Sequence, residues 1–520
     1  MSAAIGGGHS YNDPHQSLRS WWGLPIMTMQ QVHLRINDAA TGQPTPVRLR
    51  ITDAAGTYYA PFGRLTEFAT GVNQDVGGNV QIGAKKWAYI DGACEILLPP
   101  GSLHIEITKG PEYKPIDEEI TLLAGKMSLR FTIERWSDVR KQGWYSGDTR
   151  VHFMSPDAAL LEGQAEDVAV VNLLVKETTI KDSFGKAQPT IPNILSFSGQ
   201  SFARQTAGCG VAVNTQNVHP QLGSLGLLHC HRVVYPLIGE SGDWTLADWC
   251  GQCHRKKGLV VWIDSLHQTA EFLYGEPLAD LVLGDVDAFE LTFFEDSPFD
   301  ALADYYKLLD AGLVVPLVGS SGKDGNGLVV GAMRTYAHLP VNQEFTYAGW
   351  IEAIREGQTF VSNGPLLHFT LDGEVPATIQ DFAADRNTVR ILAEARSLIS
   401  FEHLELLWNG QPIAIVQPTS SSPYEAVLER EISVRESGWL AARCKGEMLL
   451  PGRPGPQRVF AHTSAVTIRK KGVPERAEAD AVRALLIELD NMLAYAEENR
   501  FKRLYQIIEK ARTKLAHKLS

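Results

Sequence analysis

Alternating apolar and polar residues dominate the first part of the chain. Val32–Ile36, Val47–Ile51 and Leu103–Ile107 all alternate and are separated by turn-forming residues. A period of two is typical of strands with one buried face. We therefore predict a small antiparallel β-sandwich over residues 31–138, after an N-terminal tail over residues 1–30.

The pattern changes between residues 139 and 365, where fully apolar runs alternate with amphipathic stretches. Apolar runs bounded by helices indicate buried, mostly parallel strands, so this region is predicted to be α/β. The apolar runs are Val168–Leu174, Gly210–Val213, Leu259–Trp262 and Leu313–Val318, and the helical stretches include Thr245–Lys257 and Phe299–Ala311.

Alternation returns over residues 366–472, for example in Thr388–Ala395, and predicts a second β-domain. From residue 473 to residue 520 the chain carries apolar residues at spacings of three and four. This spacing predicts a helical hairpin of Glu475–Glu498 and Arg500–Lys518, for which packing against the body of the protein is favoured over partner binding. The predicted fold class is multidomain, α/β plus β.

Composition narrows the classes of function. The chain has 520 residues, 44% hydrophobic and 21% charged, with a formal net charge of −12 and no long basic block. These values disfavour nucleic acid or an anionic membrane surface as the main partner. There is no signal-peptide pattern or long apolar window, and the six cysteines are dispersed, which favours a cytoplasmic location. The sequence does not indicate whether the chain associates with further copies of itself.

The segment Gly143–Phe153, GWYSGDTRVHF, carries the strongest chemical signal. It places Asp148, Arg150 and His152 at alternate positions after a strand-like run. In α/β enzymes, ligand-binding side chains lie where strands end. A guanidinium has no lone pair for a metal ion, whereas an imidazole does.

Several segments occur in the order found in one hydrolase family: GWYSGDTRVHF, ALLEGQAEDVAVVNLL, LADWCGQCHRKKGLVVW, LVLGDVDAFEL, RTYAHL, FVSNGPLL and AHTSAVTI. The chain resembles the CehA/McbA-like branch of the PHP (polymerase and histidinol phosphatase) superfamily over residues 31–470. Residues 31–138 also look like a carboxypeptidase regulatory-type module. The resemblance implies a distorted α/β barrel over residues 139–365, with metal ions at the C-terminal strand ends.

Several metal ligands of that family are altered here. Arg150 stands where the first histidine of the opening motif belongs, and Ser224 replaces a further histidine. Asp264 replaces another histidine but keeps a donor oxygen, and Gly322 takes an acidic position. The resemblance therefore implies the loss of a two-metal centre.

The remaining donors allow at most one divalent ion, zinc or manganese, or no metal. Its ligands would be His152, Glu162 and Asp264, with Asp324 as a further candidate. The expected ligand of the pocket is a small, anionic molecule.

Arg150 has two interpretations. It binds a phosphate or carboxylate, or it pairs structurally with Glu162 or Asp148. The glycine-rich loop from Gly322 to Gly327 is suited to holding an anion, and its Lys323 is a candidate to stabilise an oxyanion together with Arg150.

Two functions from different classes follow. The first is a divergent hydrolase of phosphoester or amide/carbamate bonds, with His152 as ligand or general base and Asp148, Arg150 and Lys323 as catalytic candidates. The second is a catalytically inactive PHP-like pseudoenzyme that serves as a binding or scaffold protein. Convergence of His152, Glu162, Asp264 and Asp324 on one point would distinguish them.

Overall fold

The computed structural model describes residues 29–71, 77–181, 184–239, 244–263, 274–292, 300–449 and 456–519. The first unit is a β-sandwich in which a sheet of order β6-β1-β9 packs on one of order β4-β5-β2-β7-β8, with β3 beside β2. Alternate residues such as Val32, Leu49 and Ile105 form its buried core, as the alternation predicts. Its strands are β1 Gln30–Asp38, β2 Val47–Asp53, β3 Tyr58–Tyr59, β4 Asn79–Ile82, β5 Lys85–Ile90, β6 Ala93–Leu98, β7 Gly101–Thr108, β8 Ile116–Leu122 and β9 Ser128–Ile133.

The central region is a mixed α/β structure. Its strands are β10 Trp144–Val151, β11 Val170–Val175, β12 Thr178–Lys181, β13 Ala187–Thr190, β14 Arg204–Gln205, β15 Gly210–His219, β16 Gly223–Leu228, β17 Leu259–Trp262, β18 Ala288–Thr292, β19 Leu317–Ser320, β20 Arg334–His338 and β21 Thr359–Ser362. Its helices are α1 Pro156–Ala165, α2 Leu246–Arg255, α3 Glu276–Leu283, α4 Asp300–Asp310 and α5 Tyr347–Arg355, with 3-10 turns at Val139–Gln142 and Ile194–Ser196.

Seven of these strands follow one another side by side in the order β10-β11-β15-β16-β17-β18-β19. They are parallel except for β16, which runs antiparallel to both of its neighbours. Just beyond β19, Lys323 makes a parallel bridge with Val151 at the end of β10. The first and last strands of the series are thus brought together, and the ends of the parallel strands meet at one edge.

The second β-region continues the same sheet, because β21 pairs with β29 and β29 with β28. A separate sheet of order β22-β24-β27 packs against it around residues such as Ile391, Leu406 and Ala461. The strands are β22 Leu366–Leu371, β23 Ile379–Phe382, β24 Thr388–Arg396, β25 His403–Trp408, β26 Gln411–Val416, β27 Glu425–Ser433, β28 Gly438–Leu449, β29 Pro456–Thr463 and β30 Val466–Lys470.

The chain closes with the predicted pair of helices, α6 Ala479–Glu498 and α7 Lys502–Ala516, and a 3-10 turn at His517–Leu519. Their apolar faces share one core with the central region, for example Leu485 and Ile508 with Leu278. The helical pair therefore packs against the body. Within the described ranges, no helix has the length and apolarity needed to cross a membrane.

Candidate functional site

The candidate site is built on β10, the strand that begins the seven-strand series. Its residues are nearly all buried, including the polar ones. Asp148, Arg150 and His152 are 0%, 5% and 2% exposed, so each needs hydrogen-bonding partners inside the protein. The hydrogen-bond partners of each side chain indicate whether it connects parts of the fold or has an atom left for a ligand.

Asp148 connects β10 to the segment that follows β19. Its carboxylate accepts hydrogen bonds from the backbone N–H groups of Arg150 (3.1 Å), Ser321 (3.1 Å) and Gly331 (2.7 Å), and from the Ser321 hydroxyl. Burial raises the pKa of this carboxyl, although these donors favour its charged form. The contacts describe a carboxylate that holds three segments together.

Arg150 forms a buried ion pair with a residue that the sequence analysis did not single out. Its Nε donates to Glu290 Oε1 at 2.9 Å, and its Nη2 donates to the Thr292 hydroxyl at 2.9 Å. The other Glu290 oxygen accepts from the Thr149 hydroxyl at 3.0 Å. The expectation of a salt bridge from Arg150 to Glu162 or Asp148 is therefore corrected, because its guanidinium pairs with Glu290 on β18.

His152 lies at the end of β10 with its imidazole oriented by one backbone contact. The Nδ1 atom is 2.8 Å from the carbonyl oxygen of Leu174. Since a carbonyl only accepts, Nδ1 carries the proton and Nε2 keeps a lone pair. Within the described residues, Nε2 is buried without a hydrogen-bond partner. Burial, with Lys176 and Arg150 nearby, lowers the pKa of His152 well below its ordinary value of 6.5, so the ring is neutral at pH 7.

Glu162 and Lys323 form a second buried ion pair. Both side chains are 0% exposed, and Lys323 Nζ lies 3.4 Å from Glu162 Oε2. Lys323 also donates to the carbonyls of Gly325 and Leu328, and Glu162 accepts from the N–H of Gly78 at 2.9 Å. Burial raises the pKa of Glu162. Through these contacts, Glu162 and Lys323 connect α1, the loop after β19 and the sandwich.

The glycine-rich loop around Lys323 also docks on the sandwich. Asn326 donates from its side chain to the Ala69 carbonyl at 2.9 Å and accepts from Gln81 N–H at 2.8 Å. A Cβ on Gly325 would lie 2.2 Å from the Gly71 oxygen, so glycine permits this close contact. At Gly325 and Asn326, the loop therefore contacts the sandwich.

The predicted metal ligands are only partly placed. Asp264 lies outside the described residues, and Asp324 is half-buried in the loop after β19. Glu162 is engaged with Lys323 rather than with His152. In the part of the chain that the structure describes, no group of three or more His, Cys, Asp or Glu side chains could hold a metal ion. His152 Nε2 remains an available donor.

Glu290 is the functional candidate that sequence reasoning missed. It sits in the strand Ala288–Thr292, among apolar residues that are buried. A carboxylate within a buried strand requires a cation or several hydrogen-bond donors. A glutamate in an apolar strand could therefore have been recognised from the sequence as a residue with a buried partner. The sequence did not identify Arg150 as the partner, because the two residues are far apart in sequence.

Comparison with known proteins adds little to this geometry. No family model and no curated protein matches the chain. Among solved structures, the crystal structure of PsfC from Pseudomonas syringae PB-5123 is similar at 14% sequence identity and a TM-score of 0.28, over 40% of this chain and 88% of that chain. A similarity of this extent carries no argument about function.

Proposed function

We propose that the central region is a divergent PHP-type barrel with a hydrolase-like site, acting on phosphoester or amide/carbamate bonds and using at most one metal ion. The observation that supports this most strongly is His152, whose Nδ1 is held by the Leu174 carbonyl while Nε2 is bare and buried. An imidazole oriented in this way is typical of both general bases and metal ligands.

The steps proposed here use groups of the protein itself. His152 Nε2 accepts a proton from a water molecule as that water attacks the phosphorus or carbonyl carbon. Its lowered pKa keeps the base unprotonated at pH 7 and makes the imidazolium a ready donor to the leaving group. The Arg150–Glu290 pair fixes the end of β10, which holds the imidazole in place.

A pseudoenzyme is the second candidate, and a specific observation favours it. Arg150 occupies the position of the expected metal-binding histidine, and Glu290 balances its charge. The guanidinium in this position would place a positive group where the metal ion is expected, without supplying a Lewis acid. The barrel would then serve as a binding or scaffold domain.

The two functions are separated by a hydrolysis assay on p-nitrophenyl phosphate, bis-p-nitrophenyl phosphate and a p-nitrophenyl carbamate, with elemental analysis of protein purified without chelator. We expect turnover, at most one ion per chain, and a loss of about 100-fold or more in kcat/KM for His152→Ala. The control is His462→Ala, another buried histidine. It should retain activity once folding is confirmed.

Equal turnover by wild type and a folded His152→Ala variant would contradict the proposed role of His152. Absence of turnover on all substrates would support the pseudoenzyme. Two ions per chain retained through dialysis would show that other ligands have replaced the lost ones.

A further inference from the structure

A cavity of about 430 Å³ lies where three parts of the chain meet, and His152 is not among the residues that line it. The sandwich, the segment 327–334 and the second β-region each contribute to its wall. This volume is in the range of cavities that hold small organic ligands. Three arginines, Arg48, Arg334 and Arg458, line it with a single carboxylate, Glu166.

The charges of Arg48 and Glu166 balance each other in an ion pair. Arg48 Nη1 lies 3.2 Å from Glu166 Oε1, and its guanidinium stacks 5.1 Å from the centre of the Trp87 ring. Glu166 also accepts from the Tyr89 hydroxyl at 3.0 Å. The other two arginines of the cavity wall are Arg334, which is buried, and Arg458, which is exposed.

Arg334 is a buried cation that is solvated by carbonyl groups. It is 4% exposed, and its Nε and Nη1 donate to the backbone oxygens of Gly331 (2.8 Å) and Glu166 (3.0 Å). Among the residues that the structure describes, no carboxylate forms a salt bridge with it. A buried charge without a counter-charge is unfavourable, and a bound anion would remove that penalty.

The rest of the cavity wall is largely apolar. Ile82, Pro111, Leu328, Val329, Leu398 and Ile399 contribute to it. We propose that the cavity binds an amphipathic carboxylate, with the charged group at Arg334, Arg458 closing over it from the exposed side, and the hydrocarbon body on the apolar wall. Neither the barrel site nor its proposed hydrolysis is required for this binding.

The test is isothermal titration calorimetry with decanoate and its uncharged match, decanamide, on the full chain. We expect one decanoate per chain and at least about tenfold weaker binding of decanamide, the effect of one charge-assisted hydrogen bond. Arg334→Gln should weaken decanoate by about tenfold and Arg458→Gln by a smaller factor, while Ala332→Trp, which fills the cavity, should abolish binding. Arg430→Gln removes an exposed charge from β27 and should bind like wild type.

Binding should persist in His152→Ala, which distinguishes this cavity from the barrel site. Absence of decanoate binding, equal affinity for decanamide, or unchanged binding in Ala332→Trp would overturn the proposal. If Arg334→Gln does not fold, the Ala332→Trp and Arg458→Gln titrations decide the question.

Discussion

Two regions of this protein place a buried histidine beside an Arg–Glu ion pair, and they differ in how the histidine is hydrogen-bonded. In the second β-region, His462 lies next to Arg443, which pairs with Glu405. At the end of β10, His152 lies near Arg150, which pairs with Glu290. In both regions burial lowers the pKa of the histidine.

The difference is in the hydrogen bonds of the two imidazoles. His462 contacts the Thr463 carbonyl through Nδ1 at 2.6 Å and the Tyr306 hydroxyl through Nε2 at 2.8 Å, so both nitrogens are engaged. His152 engages Nδ1 alone. His462, with both nitrogens bonded, joins β29 to α4. His152 keeps a lone pair on Nε2 that can accept a proton or bind a metal ion. Both histidines are buried and have a lowered pKa, so only their hydrogen-bond partners distinguish a structural histidine from a candidate functional one.

The largest expected effect is on stability and comes from Arg150→Ala. Glu290 would lose the guanidinium that faces it, and removing one partner of a buried ion pair typically costs about 3–5 kcal/mol. In the matched variant, Arg443→Ala, the lost cation is more exposed, at 16% against 6% for Arg150, and Glu405 keeps Lys445 at 2.7 Å. We therefore expect a smaller loss. Urea denaturation of both variants measures the difference.

A loss in Arg150→Ala no larger than in Arg443→Ala would contradict a structural role for the Arg150–Glu290 ion pair. Loss of affinity for inorganic phosphate or a carboxylate in the same variant would support the anion-binding interpretation of Arg150.

A smaller effect is expected from acid. The pKa of His462 is lowered to about 3 from an ordinary value of 6.5. A base with a lowered pKa contributes stability that is complete above 6.5 and is lost as the pH falls toward 3. From about pH 7 to about pH 5, wild type should therefore lose about 2 kcal/mol more than His462→Gln.

Urea denaturation of wild type and His462→Gln at both pH values measures this difference. Identical pH dependence in the two proteins would mean that His462 is not buried as a neutral ring, and the comparison with His152 would fail.

Much of the fold was predictable because it depends on local patterns. Alternation predicted the sandwich around Val32 and Leu49, and the helix predicted at Thr245–Lys257 is observed at Leu246–Arg255. The antiparallel course of β16 was not predictable, since an apolar run does not reveal strand direction. Domain boundaries at residues 138, 365 and 472 stay predictions, and the sheet is continuous across the second of them.

The candidate site was less predictable because it depends on contacts between distant residues. The sequence drew attention to His152 and Arg150, and both line the buried end of β10. It did not predict that Lys323 and Glu162 pair with each other, or that Glu290 pairs with Arg150. Ion pairs between residues this far apart depend on tertiary packing, which a residue pattern does not encode. The roles of Asp264 and Asp324 stay predictions.

The most direct test of the central claim is ¹⁵N NMR of selectively histidine-labelled protein, with His152→Gln to assign the resonances. We predict a neutral His152 protonated on Nδ1 at pH 7 and at pH 6, because Nδ1 donates to Leu174 and the pKa is lowered. Adding orthovanadate, an analogue of a phosphoryl-transfer intermediate, should shift the Nε2 resonance and leave that of His462 unchanged. A His152 ring protonated on Nε2, or an imidazolium at pH 7, would contradict the account.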